Sequence, residues 1–197
     1  MNKDEILSFY DDELNELGMT TRSEIHTKGF LHQVVHCWII DEVDNEKWIY
    51  FQQRSHKKKD FPGLYDISAA GHVNIGEKEE VAVKRETQEE IGILIDPEKL
   101  RFIGSIREKM HLDSFYNNEI CHVYLYAIDN PKFHIGHEVE KMVKISFDEF
   151  KKCILEGSEN VVAFSEDSKS KFIIKSQEFC PHERDYLELV VDFIEKL

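Results

Sequence analysis

Residues 71–93, GHVNIGEKEEVAVKRETQEEIGI, constrain the fold more than any other stretch, because they gather Glu77, Glu86, Glu89 and Glu90 around a single Arg85. Helix formers run through GEKEEVAVKRETQEEIG and Gly92 supplies a C-terminal stop, so a helix is predicted here. At about 100° per residue, Glu86 and Glu90 project within about 40° of one another, with Glu89 about 60° to the other side of Glu86. Three carboxylates thus share a face, next to a stripe of Val83, Thr87 and Ile91 that can pack on a sheet. Like charges at i,i+4 cost a helix about 0.2–0.5 kcal/mol, so the arrangement brings no structural benefit. A hard divalent cation reverses the sign, since Mg²⁺ takes carboxylate, water and phosphate oxygens together.

The competing reading is a solvated charged face, because the whole chain is acidic, with a net charge of -14 over 197 residues. That acidity disfavours a nucleic-acid partner, whose phosphates are held by Lys and Arg, but permits a phosphorylated small molecule if a metal ion offsets the repulsion. A hydrophobic share of 41%, with 13 Phe and 7 Tyr, predicts a globule, and the length predicts one domain over residues 1–197. No apolar run approaches the ~20 residues of a membrane span, and the opening MNKDEILSFYDDELNE is too acidic for a secretory leader. A cytoplasmic protein with no membrane partner is expected. Cys37, Cys121, Cys153 and Cys180 form no C-x-x-C pair, which predicts reduced thiols and argues against a zinc knuckle. Nothing in the sequence sets the oligomeric state; a homodimer is one compatible form.

Around the central segment, QVVHCWIIDEV and KWIYFQQ read as a hairpin joined by DNE, and DISAAGHV as a short strand. LRFIGSIREKM and EICHVYLYAI are further strands. SFDEFKKCILE opens with a Ser cap and continues as a helix, and ERDYLELVVDFIEKL is a final helix with Leu187, Val190, Val191 and Ile194 on one face. The N-terminal DEILSFYDDELNELG reads either as an acidic helix, slightly favoured by propensity, or as a strand and turn. Residues 104–118 and 130–145 are expected to be loops that recognise a bound small molecule. Strands and helices interleave, which predicts an α/β fold with a mixed sheet and helices on its faces.

The residue pattern G-x5-E-x7-R-E-U-x-E-E-x-G-U, carried here by Gly71, Glu77, Arg85, Glu86, Glu89, Glu90, Gly92 and Ile93, resembles the Nudix box. Seven fixed identities in register arise by chance on the order of once in a million such sequences. The one departure is Thr87, where that family usually has a larger apolar residue. The resemblance implies a Nudix-type α/β/α sandwich and hydrolysis of a diphosphate linkage, in a nucleoside diphosphate derivative or a similar small molecule, with Mg²⁺ or Mn²⁺. It implies that Glu89 and Glu90 are the chief metal ligands and that Glu86 is a ligand or the group activating water. Arg85 and Glu77 would pair to hold the helix to the loop, and Gly71 or Ala70 would offer a carbonyl to the metal.

A second resemblance covers about residues 20 to 125, through HTKGFLHQVVHCWI, QQRSHKKKDFPGLYDISAAGH and NNEICHVYLY. These are similar to type I isopentenyl-diphosphate isomerases and the Nudix hydrolases nearest to them, which favours strand and turn for the N-terminal stretch. The position of the isomerases' catalytic cysteine is Ala70, and their acidic pair survives as Asn117 and Glu119. The box, eroded in isomerases, keeps all its charged residues here, so hydrolysis is the expected activity; an isomerase-like enzyme and a non-catalytic Nudix-fold binding protein are the alternatives. By the same resemblance Arg54 and Lys58 would reach the substrate diphosphate, and His26, His32, His72 and Glu119 would align with a transition-metal site. That site has lost one acid to Asn117 and is one residue shorter between His26 and His32. Glu138 or Glu140 is a further candidate for water activation. Trp38 and Tyr65 are expected in the core rather than stacked on a base, and Cys121 and His122 need no function.

Overall fold

The computed structural model describes residues 4–112, 115–167 and 169–197. The chain opens with an antiparallel hairpin, β1 (Ile6–Tyr10) and β2 (Glu16–Thr21), so strand and turn prevail over the acidic helix that propensity slightly favours. The turn is fixed by Asp11, whose Oδ1 accepts from the backbone N–H of Glu13 and Asn15. A short helix that the sequence reading did not anticipate follows, α1 (Arg22–Lys28), with Thr21 as N-cap accepting from Glu24 N.

β3 (His32–Val43) and β4 (Glu46–Arg54) form the expected hairpin. The single strand expected over DISAAGHV is two short ones, β5 (Tyr65–Asp66) on β4 and β6 (Ala69–His72) on β3. Next comes α2 (Glu79–Ile91), ended by Gly92 in the left-handed conformation at φ 71°. β7 (Leu100–Leu112) and β8 (Phe115–Ala127) make one long antiparallel hairpin. Residues 104–118 are therefore largely strand rather than a recognition loop, which corrects the sequence reading. β9 (Val139–Ser146) likewise takes the end of the expected 130–145 loop into the sheet, beside β4. α3 (Phe147–Glu156) begins at its Ser146 cap as expected. β10 (Asn160–Ser165) and β11 (Lys171–Lys175) form an edge hairpin that the sequence reading missed. The last helix, α4 (Arg184–Glu195), buries Tyr186, Val190, Val191 and Ile194, with Leu187 partly buried.

The main sheet runs in the order β11-β10-β9-β4-β3-β8-β7; among the described strand pairs β3·β8 alone is parallel, and an isolated parallel bridge joins Tyr65 to Phe179. Alternation along β3 creates two cores. Val35, Cys37 and Ile39 pack with Ala82, Val83 and Ile91 of α2, while Val34, Trp38 and Ile40 pack with Phe150, Tyr186 and Val190 on the other side. A strand buried on both faces reads as a continuous apolar run, which is why VVHCWII lacks polar alternation. The result is the expected α/β/α sandwich with a mixed sheet. Trp38 and Tyr65 lie in the core, at 1% and 6% exposure. The four cysteines are free. No helix among the described residues is long and apolar enough to cross a membrane.

Candidate active site

One edge of β3 is shared by two partners. It pairs with β6 as far as Cys37–Ala69 and with β4 from Ile39–Tyr50 onward. Ser68, fully buried, bridges this fork: its Oγ accepts from Ile39 N at 2.8 Å and donates to Tyr50 O at 2.5 Å. At the fork α2 places Glu90, whose Oε2 accepts from Gln52 Nε2 of β4 at 2.8 Å and from Ala70 N of β6 at 3.0 Å. The carbonyls that end α2 are satisfied from outside, with His134 N donating to Ile91 O and Gly136 N to Glu90 O. The helix end that carries Glu90 is thereby fixed.

Glu86 lies one turn earlier, against Gly71. A Cβ at Gly71 would fall 2.1 Å from Glu86 Cδ, so only glycine admits the carboxylate here. Arg85 organises the remainder: Nε and Nη2 donate to Glu77 at 3.0 and 2.8 Å, Nη1 to Glu86 Oε1 at 2.5 Å, and Nη2 to His72 O at 2.9 Å. The loop is thus tied to the helix through the Arg85–Glu77 pair. Burial pushes Glu86 and Glu90 up to about 7; Arg85 opposes this at Glu86 and Lys58 at Glu90. The shared face predicted for the three glutamates is graded. Glu90 is buried, Glu86 nearly so, and Glu89 reaches solvent with 62% of its side chain exposed. Thr87 is fully buried and donates its hydroxyl to Val83 O, which explains how a polar residue fits the packing stripe.

Lys58 Nζ comes to 4.0 Å of Glu90 Oε1 and bonds Glu138 Oε2. Glu138 therefore stands at the site, whereas Glu140 is an exposed residue of β9. Arg54 is more committed than the sequence suggested, with Nη1 on Asp66 at 2.8 Å and Nε and Nη2 on Asp60 O. Gln52 escaped the sequence reading because a glutamine in a strand carries no distinguishing signal.

The histidines converge as well. Donor atoms of His26, His32 and His72 lie within 4.8 Å of one another. His32 donates Nδ1–H to Phe30 O at 3.1 Å, which leaves a lone pair on Nε2 facing Glu119 Oε1 at 3.3 Å. Two acceptors in such contact need a proton or a cation between them. Both nitrogens of His26 and Oδ1 of Asn117 are buried without a partner, and burial pushes His26 down to about 4. Glu5 joins the group from before β1, 3.0 Å from His72 Nδ1, and was not foreseen. Orphaned neutral imidazoles beside carboxylates fit a transition metal. His122, by contrast, is held between Ser105 and Gln33.

The family model described as NUDIX domain matches residues 30–163, spanning the fork, α2 and most of the sheet. The chain belongs to the Nudix hydrolase family. It is 32% identical over 199 residues to an uncharacterized Nudix hydrolase of Clostridium acetobutylicum, covering 96% of each chain. It is also 32% identical over 123 residues to isopentenyl-diphosphate Delta-isomerase 1 of Photorhabdus laumondii, covering 61% of this chain and 68% of that one. Among solved structures, a Deinococcus radiodurans protein superposes with a TM-score of 0.61 at 20% identity, covering 78% of this chain and 91% of its own. This Nudix hydrolase thus shares whole-length similarity with a hydrolase-named relative and partial similarity with an isomerase.

Proposed function

We propose that the protein cleaves a phosphoanhydride linkage in a small-molecule diphosphate, a nucleoside diphosphate derivative or a similar compound, with Mg²⁺ or Mn²⁺ held by Glu86, Glu89, Glu90 and a backbone carbonyl at Gly71 or Ala70. The observation that carries this is the convergence of two carboxylates, buried Glu90 and nearly buried Glu86, on the fork beside Gly71, where Arg85 pairs with Glu86 and Lys58 comes to 4.0 Å of Glu90. Buried carboxylates that ionise without a cation are costly, and a divalent ion removes the cost. Bound there, the metal would neutralise phosphate oxygens and lower the pKa of the attacking water. Lys58 and Arg54 add positive charge for the diphosphate. Glu86 is the better acceptor for the water's proton, because Lys58 holds Glu138 below the usual carboxylate range against a burial penalty. A cavity of about 470 Å³, lined by Trp38, Phe51, Phe61, Leu64, Ile67 and Phe150 among others, reaches Asp66, the partner of Arg54, and suits an apolar part of the substrate. The reading treats residues 1–197 as one cytoplasmic domain with no nucleic-acid or membrane partner.

The test is a panel of nucleoside diphosphate derivatives, dinucleotides and isopentenyl diphosphate with Mg²⁺ or Mn²⁺, scored for release of phosphate or mononucleotide. Absence of turnover on all of them would overturn the proposal and leave a binding protein. No dimethylallyl product is expected from isopentenyl diphosphate, because Ala70 neither gives nor takes a proton; that isomer above the uncatalysed level would restore the isomerase reading. Gly71→Ala is expected to displace Glu86 and weaken Mn²⁺ binding by about 10–100-fold, the scale of disturbed ligand support. Unchanged affinity in a Mn²⁺ titration would remove Gly71 from the site.

We also propose a second metal, Zn²⁺ or Mn²⁺, held by His26, His32, His72 and Glu119, on the strength of the orphaned nitrogens. Protein purified without added metal or a histidine tag is expected to carry it, and His32→Ala and His72→Ala to lose it. Metal-free protein indifferent to both substitutions would end this part of the reading.

A further inference from the structure

Arg54 begins a buried chain of alternating charge. Its Nη1 donates to Asp66 Oδ2 at 2.8 Å, and Asp66 Oδ1 faces His182 Nε2 at 3.3 Å. His182 Nδ1 faces Glu108 Oε2 at 2.9 Å, and Glu108 Oε1 accepts from Glu183 N at 2.8 Å. Side-chain exposures along Arg54, Asp66, His182 and Glu108 are 12%, 9%, 15% and 9%. With a carboxylate against each ring nitrogen, both nitrogens carry protons and the imidazole is a cation. The charges then run plus, minus, plus, minus, each buried ion neutralised by its neighbours.

His182 lies outside residues 30–163, in the segment between β11 and α4. That segment is stitched to β5 by Cys180 N donating to Tyr65 O at 2.7 Å. Tyr186 stacks on the His182 ring at 4.9 Å between centroids, and its hydroxyl is held by Trp38 Nε1 and His36 Nδ1, both at 2.9 Å. This line of charges fastens the C-terminal segment to the sheet, and its other end reaches the carboxylate site. Asp66 lies directly opposite Gln52 in the β4·β5 ladder, and Gln52 is the side chain that grips Glu90. The held guanidinium has five N–H groups, of which Nε, one on Nη1 and one on Nη2 are spent on Asp60 and Asp66. Two remain for a phosphate, in an orientation that the spent three fix.

We infer that His182 is a positioning residue for diphosphate binding, acting through Asp66 to hold the Arg54 guanidinium beside the carboxylate site. This rests on the reading that Arg54 contacts the substrate diphosphate. Without His182, Asp66 loses its second cation; Oδ1 keeps only the N–H of Ile67, at 2.9 Å, and Arg54 keeps Asp60 O, so the Arg54–Asp66 pair is held less firmly beside the fork.

The test is a double-mutant cycle read by calorimetric binding of methylenediphosphonate with Mg²⁺, a diphosphate mimic that cannot be hydrolysed. His182→Gln is expected to weaken binding by about 10–100-fold, as removal of an outer support typically does. In an Arg54→Ala background the same substitution is expected to change nothing further. With a hydrolysed substrate, KM should rise by a similar factor while kcat holds. Should His182→Gln fail to fold, Asp66→Asn carries the same cycle. If Arg54→Ala weakens binding but His182→Gln and Asp66→Asn do not, the inference falls and the hydrolase reading stands. A His182→Gln loss that persists in the Arg54→Ala background means a loosened C-terminal segment and also overturns it. If Arg54→Ala binds as well as the wild type, Arg54 is no diphosphate contact and the inference falls with that assignment.

Discussion

Glu90→Gln is expected to lower turnover by about 10²–10³-fold at saturating Mg²⁺ while leaving the fold intact, the scale seen when one preorganised charge-stabilising group is removed. Both structural donors, Gln52 Nε2 and Ala70 N, converge on the same oxygen, Oε2. The single amide oxygen of glutamine keeps both bonds, and the substitution converts only the other oxygen, the one 4.0 Å from Lys58, into an NH₂. The stability effect has the opposite sign. Burial raises the Glu90 carboxyl to about 7 from an ordinary 4.5, so its contribution is fully present below pH 4.5 and is lost as pH rises through 7. In metal-free protein at pH 8 the ionised, buried carboxylate costs roughly 3 kcal/mol, a cost that Gln does not carry. The variant should therefore melt higher than wild type at pH 8 in EDTA and should not at pH 4. Wild-type turnover in Glu90→Gln at saturating metal would show that Glu90 is not a ligand.

The second large effect concerns His182. Burial alone would lower its pKa, but hydrogen bonds and charge from Asp66 and Glu108 raise it to about 10 from an ordinary 6.5. The folded value exceeds the unfolded one, so the stabilisation is complete below pH 6.5 and disappears as pH rises through 10. The groups facing the ring are Asp66 from β5, Glu108 from β7, His36 from β3 and Tyr186 from α4, with Arg54 behind Asp66. His182→Gln is expected to cost roughly 3–5 kcal/mol at pH 6, the scale of breaking a buried ion pair from one side, and much less at pH 10. Denaturant midpoints of both proteins between pH 6 and pH 10 measure the difference. A gap that stays constant across that range would mean that the imidazole is not a cation in the folded protein.

The carboxylate site was legible because its signal is local: Glu77, Arg85, Glu86, Glu89 and Glu90 lie on one loop and helix, where a 100° step converts spacing into direction. Graded burial was not legible, since the wheel sets Glu89 and Glu90 on either side of Glu86 without telling which of them the sheet covers. Strands buried on both faces, such as VVHCWII, announced themselves by continuous hydrophobicity. β9, β10 and β11 did not, because they are short and two of them carry lysines, Lys141 and Lys144 in β9 and Lys171 and Lys175 in β11, which blur the strand signal. Both strands of the β7·β8 hairpin were expected, but its polar tip, with Lys109, Asn117 and Asn118, read as loop. Asp66, Glu108 and His182 were missed altogether: they lie far apart in sequence, and only tertiary contact makes them a group.

The parallel contact between β3 and β8 also sets the order in which the molecule can assemble. β3·β4 and β7·β8 are hairpins that close over short loops, but His32 meets Glu119 only after the intervening chain, with β4, β5, β6 and α2, has been looped out and folded. Such non-local pairing is slow relative to hairpin closure. A nascent or partly refolded chain can therefore form α2 and display its glutamates while the histidine group is still open. Occupancy of the histidine site would then report that the sheet has closed, making a bound ion a late mark of completed folding.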